Sequence, residues 1–95
     1  MEVDEGPQYT WLYGLYGHAS SVTAVSFSYD GSMVATCGSD HLVQIWETRT
    51  GRVLHTLRGH TDGVNDLCWT RDSRYVASAS DDRSVRLWDA HEVRV

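Results

Sequence analysis

Residues 17–47 read GHASSVTAVSFSYDGSMVATCGSDHLVQIWE, and residues 59–89 read GHTDGVNDLCWTRDSRYVASASDDRSVRLWD. Laid over each other at an offset of 42 residues, the two stretches share nine identities in 31 positions. Gly17-His18 returns as Gly59-His60, Asp30 as Asp72, Asp40 as Asp82, and Trp46-Glu47 as Trp88-Asp89. Many of the differences are conservative: Val25 becomes Leu67, Phe27 becomes Trp69, Thr36 becomes Ser78 and Ile45 becomes Leu87. One offset held at four separated landmarks means that the fold is an array of one small unit.

Within each unit the pattern is that of short strands parted by turn signals, with no helical period of useful length. In the first, residues 22–27 alternate apolar and polar, Tyr29-Asp30-Gly31-Ser32 turns the chain, and 33–37 form a second strand. A turn at Ser39-Asp40-His41 leads to a third strand over 42–46, and Thr48 to Gly51 lead to a fourth over 52–57. The second unit repeats three of these, over 64–69, 75–79 and 85–88. The leader Tyr9 to Tyr16 corresponds to Gly51 to Arg58 and is expected to be a strand as well, with residues 1–8 a disordered tail. Regular strands at this spacing predict an all-β fold.

Composition narrows the function classes. The chain has 95 residues, 41% hydrophobic and 22% charged, which suits one globular unit. No apolar run approaches the ~20 residues of a membrane helix. The acidic start Met1-Glu2-Val3-Asp4-Glu5 lacks the basic and apolar regions of a secretory signal. All eight basic residues are arginine, so chemistry that needs a lysine, a Schiff base or a phosphate-loop amine, is excluded. A net charge of -5 argues against a nucleic-acid surface, which needs clustered positive charge. Cys37 and Cys68 stand at non-equivalent places inside apolar stretches and are expected to be reduced core residues. His41, His55 and His91 are isolated and no closely spaced Cys/His pairs exist, so no metal set is expected.

A Gly-His pair, an Asp six residues before Trp-Asp or Trp-Glu, and a period of 42 together resemble the WD repeat of β-propellers. The resemblance covers residues 9–89. It implies four-stranded antiparallel blades, each sequence repeat supplying the outer strand of one blade and the inner three of the next. The expected architecture is a partial propeller of about two blades, with repeat 1 over 17–58 and a truncated repeat 2 over 59–95. An outer strand over 9–16 would precede a complete blade over 22–57, and 64–89 would give three strands of another.

Two sets of residues stand out on this reading. His18, Thr36, Asp40 and Trp46 match His60, Ser78, Asp82 and Trp88. A hydroxyl, an imidazole and a carboxylate invite comparison with a catalytic triad. A catalytic set need not be copied once per repeat, whereas a structural one must be. The resemblance implies a structural tetrad, in which Asp orients His, His bonds the hydroxyl, and the hydroxyl meets the indole N–H. No catalytic or cofactor-binding residues are therefore expected. The second set is the rim of the central channel, which the resemblance places at Ser21, Thr23 and Ser39 in one repeat and Gly63, Asn65 and Asp81 in the other. Small polar residues around one carboxylate suit a cationic side chain.

The wording of Gly63 to Arg74 and Ala77 to Arg83, with the leader Tyr9 to Gly17, is most similar to the WD-repeat scaffold subunits of COMPASS-like histone lysine methyltransferase complexes. That implies a non-enzymatic, nuclear scaffold that takes arginine-containing peptides or a histone tail into its channel. Asn65 and Ser39 are larger than the residues usual there, and the aromatic residues that flank the arginine belong to blades outside this sequence. A cytoplasmic adaptor of another pathway, in ubiquitin ligation, RNA processing or trafficking, stays open, as does a non-functional fragment of a longer propeller. Two units fall short of the ~4–8 blades of a closed ring, so further blades or self-association are expected. After Asp89 the chain reads Ala90 to Val95 and stops where another outer strand is expected to begin.

Overall fold

The computed structural model describes residues 6–91. Seven strands follow in chain order: β1 (Val22–Phe27), β2 (Met33–Gly38), β3 (Val43–Glu47), β4 (Val53–Leu57), β5 (Val64–Trp69), β6 (Tyr75–Ser80) and β7 (Val85–Asp89). They form two antiparallel meanders, a four-stranded sheet β1-β2-β3-β4 and a three-stranded sheet β5-β6-β7. This is the all-β, two-blade partial propeller expected from the repeat.

The repeat shows in the registers too. Phe27 faces Val34 and Trp69 faces Val76; Val22 faces Gly38 and Val64 faces Ser80. Both inner strands skip one residue after their first pair, so Thr23 and Asn65 have no opposite number in the ladder. Each such bulge re-aims one side chain at a strand end. The first hairpin turns also agree. The Asp30 carboxylate accepts from the Ser28 hydroxyl at 2.7 Å and the Ser32 N–H at 2.9 Å, and Asp72 accepts from Thr70 at 2.6 Å and the Arg74 N–H at 3.1 Å. Short carboxylates that bond the backbone two residues on are what closes such turns. The next residue needs a left-handed backbone, φ 75° at Gly31 and 62° at Ser73. Glycine adopts it freely; Ser73 is held there by its contacts. Its hydroxyl accepts the Asp30 N–H at 3.0 Å and its carbonyl lies 2.8 Å from His91 Nε2, so the turn of the second blade is tied to that of the first.

The core lies between the sheets. Met33, Ala35, Cys37, Val43 and Ile45 of the first blade meet Val64, Trp69 and Val76 of the second, with Ala90 closing one end. The Trp69 indole crosses the joint and donates to the Ser26 carbonyl at 2.9 Å. Cys37 is buried here and Cys68 is exposed; both are free thiols.

The leader departs from expectation. Residues 9–16 carry no strand. An outer strand is defined by its ladder with the third strand of its own blade; β4 fills that edge of the first sheet, and residues 9–16 pair with neither sheet. The leader lies instead against the first blade, with the Tyr13 hydroxyl donating to the Thr48 carbonyl and Tyr13 and Leu15 close to Gly51. Of the tail expected over residues 1–8, Gly6 to Gln8 have no regular structure and the first five lie outside the described residues. The place of a further outer strand, after His91, also lies outside them.

Candidate functional site

Each tetrad is assembled from four pieces of one blade. In the first, His18 precedes β1, Thr36 lies on β2, Asp40 in the β2–β3 turn and Trp46 on β3. His18 Nδ1 lies 3.1 Å from both Asp40 oxygens, Nε2 lies 2.7 Å from the Thr36 hydroxyl, and the Trp46 indole donates to that hydroxyl at 2.8 Å. The second set repeats this: His60 Nδ1 to Asp82 at 2.8 Å, Nε2 to Ser78 at 2.7 Å, and the Trp88 indole to Ser78 at 2.8 Å. An indole only donates and a carboxylate only accepts, so with Nδ1–H aimed at the Asp every donor in the chain finds an acceptor. Thr36 and Ser78 are buried, so neither hydroxyl can meet a substrate carbonyl from solution. What the arrangement does is pin the loop before β1 to β2 and β3.

The carboxylates of the two sets sit in different company. Burial pushes the Asp40 carboxyl up, but bonds from His18 and from the Ala19 and Leu42 N–H groups outweigh it and hold the group below the usual range. Asp82 is lowered further, first by the Ser84 hydroxyl, against burial, and then by His60 and the N–H groups of Thr61 and Ser84. Ser84 lies 2.5 Å from Asp82 and 3.3 Å from His60 Nδ1, making a fifth member where the first repeat has Leu42. Gln44 is a second participant missing from the sequence reading. It is buried, donates to the Gly17 carbonyl at 2.5 Å and accepts from Thr56 at 2.6 Å. Its counterpart Arg86 lies over the Trp88 ring instead. Both differences are visible as mismatches in the repeat overlay, Leu42 against Ser84 and Gln44 against Arg86.

The six residues expected at a channel rim lie at one end of the two inner strands. In each blade the same bond fixes the entry to the inner strand, Ser39 N–H to Ser21 carbonyl and Asp81 N–H to Gly63 carbonyl, both at 2.9 Å. The blades meet at Gly63, where an added Cβ would stand 3.6 Å from the Ser39 Cα and 3.8 Å from Asp81 Oδ2. Asn65 donates its amide to Asp81 Oδ1 at 2.7 Å, leaving Oδ2 for another donor. Ser39, Gly63, Asn65 and Asp81 thus share one patch at the seam, and Ser21 adjoins it. Thr23 is set apart: its hydroxyl donates to the Val64 carbonyl across the joint and lies 3.2 Å from the Cys37 carbonyl. That hydroxyl ties the blades together. Among the described residues no group of three or more His, Cys, Asp or Glu side chains is placed to hold a metal ion.

Known proteins bear on this arrangement in two ways. The family pattern "WD domain, G-beta repeat" matches residues 9–47 and again 51–89. Among similar proteins, "Probable cytosolic iron-sulfur protein assembly protein 1" of Malassezia globosa is 40% identical over 48 residues, half of this chain and 14% of that protein. "WD repeat, SAM and U-box domain-containing protein 1" of Gallus gallus is 48% identical over 42 residues, 44% of this chain and 9% of that protein. "Protein Mut11" of Chlamydomonas reinhardtii is 46% identical over 44 residues, 46% of this chain and 12% of that protein. The matched stretch therefore spans a small part of each relative. WD repeats generally mediate protein–protein interaction as non-enzymatic scaffolds. The matches at both units, the two meanders and the 42-residue offset place this chain in the WD40 repeat family.

Proposed function

We propose that the chain is a segment of a non-enzymatic scaffold whose channel rim takes the arginine side chain of a partner peptide. The observation that carries this is the seam patch, where Asp81 Oδ2 faces the gap left by Gly63 beside Ser39. A charged acceptor strengthens a hydrogen bond about two-fold over a neutral one. A planar guanidinium can engage Asp81 and the Ser39 region together, while an ammonium is a point charge. The narrower reading, a nuclear subunit of a histone lysine methyltransferase complex, is supported by the resemblance over residues 63–83. Of the three relatives one carries a process in its name, iron-sulfur protein assembly, and the scaffold reading stands without the narrower assignment.

Fluorescence anisotropy with labelled peptides and the full chain tests the proposal. An arginine-bearing peptide should bind, and both Asp81→Asn and replacement of the peptide arginine by lysine should weaken it several-fold. A histone-tail sequence that binds better than a scrambled peptide of equal charge supports the narrower reading. Affinity unchanged by both replacements removes arginine recognition at this rim.

A further inference from the structure

Asp-Gly occurs twice in the chain, as Asp30-Gly31 and as Asp62-Gly63. The dipeptide matters chemically because glycine has no side chain to shield its amide nitrogen from the carboxyl carbon of the residue before it. When that nitrogen reaches that carbon a five-membered ring closes. The fold prevents this at one pair and prepares it at the other.

Asp30 is restrained on all sides. Its Oδ1 accepts from the Ser28 hydroxyl at 2.7 Å, the Ser32 N–H at 2.9 Å and the Ser32 hydroxyl at 2.8 Å, and its own N–H donates to the Ser73 hydroxyl at 3.0 Å. The Gly31 N–H is turned away, to the Ser28 carbonyl at 2.9 Å. Nitrogen and carboxyl therefore have separate partners, and ring closure requires the turn to open. The same bonds to the carboxylate, that from the Ser32 N–H first, lower Asp30 to about 2 and keep it in the ionised form, which an amide nitrogen attacks poorly.

Asp62 has none of these restraints. It is exposed in the bend before β5, and its carboxylate has one hydrogen-bond partner among the described residues, the N–H of Gly63 itself at 2.8 Å. The two groups that must react are thus held against each other, as in a near-attack geometry. The peptide carbonyls on either side are anchored. The Ser80 hydroxyl lies 3.1 Å from the Asp62 carbonyl and 2.9 Å from the Gly63 carbonyl, which also accepts the Asp81 N–H at 2.9 Å.

We propose that Asp62-Gly63 is a site of spontaneous isomerisation to isoaspartate, placed in the seam patch between the blades. The Gly63 nitrogen bonds to the Asp62 Cγ of the protonated carboxyl, whose hydroxyl leaves as water with the amide proton. Water then adds to the Asp62 main-chain carbonyl carbon, and the bond from that carbon to the Gly63 nitrogen breaks. The nitrogen takes up the proton, so no atom is gained or lost and water is the only co-reactant. The main chain now runs through Cγ and is one carbon longer between the two residues. That shifts Gly63 against Ser80 and Asp81 and leaves a free α-carboxylate at residue 62. Such a carboxylate is the substrate of methyltransferases that esterify isoaspartate with S-adenosylmethionine. The inference stands whether or not the patch takes an arginine.

Ageing the full chain in warm neutral buffer tests it. Proteolysis and electron-transfer fragmentation in a mass spectrometer distinguish aspartate from isoaspartate at each site, so Asp30 serves as a control within the same molecule. Isomerisation should be about ten-fold or more faster at Asp62 than at Asp30. In guanidinium neither set of bonds survives, and the two rates should converge. Gly63→Ala should slow Asp62 about ten-fold and leave Asp30 unchanged, since the new methyl group screens the nitrogen. That Cβ meets only ordinary contacts, 3.6 Å from the Ser39 Cα and 3.8 Å from Asp81 Oδ2, so the fold accommodates it. Isoaspartyl methyltransferase with labelled S-adenosylmethionine should mark the aged wild-type chain and leave the aged Gly63→Ala chain almost unlabelled. Equal rates at the two sites of the folded chain, a faster rate at Asp30, a difference that persists in guanidinium, or a rate at Asp62 that Gly63→Ala does not change each overturns the inference.

Discussion

Replacing Thr36 by valine asks how much of the blade hangs on one oxygen atom. The substitution preserves shape and deletes the hydroxyl that accepts the Trp46 indole N–H at 2.8 Å and meets His18 Nε2 at 2.7 Å. Trp46 is buried and the His18 side chain is 3% exposed, so neither group can turn to water instead. A buried polar group left without a partner costs about 1–3 kcal/mol, so two of them put Thr36→Val at about 2–6 kcal/mol. Thr36→Ser keeps the oxygen and loses one methyl group, about 0.8 kcal/mol. The second blade is already built on Ser78 at this position. Guanidinium unfolding at one fixed protein concentration, followed by tryptophan fluorescence, separates the two. The valine variant should lower the midpoint strongly at unchanged slope, and the serine variant only slightly. A domain of this size has about 5–15 kcal/mol in total, so the valine loss is large on that scale. Equal losses in the two variants would show that the methyl packing matters and the hydrogen-bonded chain does not.

Acid should weaken the fold through its turn carboxylates. Hydrogen bonds from the Ser32 N–H and then the Ser28 and Ser32 hydroxyls lower Asp30 from 3.8 to about 2, and Asp40 and Asp82 are lowered as well. A depressed carboxylate contributes stability above its ordinary value and loses it as pH falls toward the folded one. The unfolding midpoint should therefore hold from neutrality to about pH 4 and drop between about pH 4 and 2, less so in Asp82→Asn. At Ser73, glycine removes the left-handed strain of about 1–2 kcal/mol and forfeits the bond to Asp30, about 0.5–1.5 kcal/mol. Ser73→Gly should thus be near neutral and Ser73→Ala destabilising, and equal midpoints would refute the strain argument. With a thiol reagent, one cysteine should react at once and the other only on unfolding. Cys68 is exposed, whereas Cys37 is buried and its thiol is pushed up by that burial.

How far the sequence could be read follows from which contacts the repeat encodes. The strands were legible because apolar alternation and Asp-centred turns are local, and β1 and β5 run over the residues expected, Val22–Phe27 and Val64–Trp69. The leader was misread because an outer strand exists only with its neighbour, and likeness to β4 carries no information about that neighbour. Ser84 and Gln44 were passed over because attention went to positions where the repeats agree, and these two act where they differ. The link from Asp30 through Ser73 to His91 joins residues on both sides of the offset, and no local pattern marks it. Thr23 was legible as a position and not as a contact, since nothing along the chain tells that its hydroxyl reaches the Val64 carbonyl.

The extra residue in each inner strand has a consequence for how such an array changes over time. Thr23 and Asn65 sit outside the ladder, so neither has a cross-strand partner whose size or charge must match its own. One chain carries a threonine at this place and an asparagine 42 residues later, on sheets of the same register. Exchange at that spot leaves the strand alignment untouched and costs only the contacts beyond the ladder: at Thr23 the tie between the blades, at Asn65 no more than an exposed bond to Asp81. A library randomised at the Asn65 codon should retain folded members at a far higher rate than one randomised at Ala24, which is half-buried and paired with Cys37.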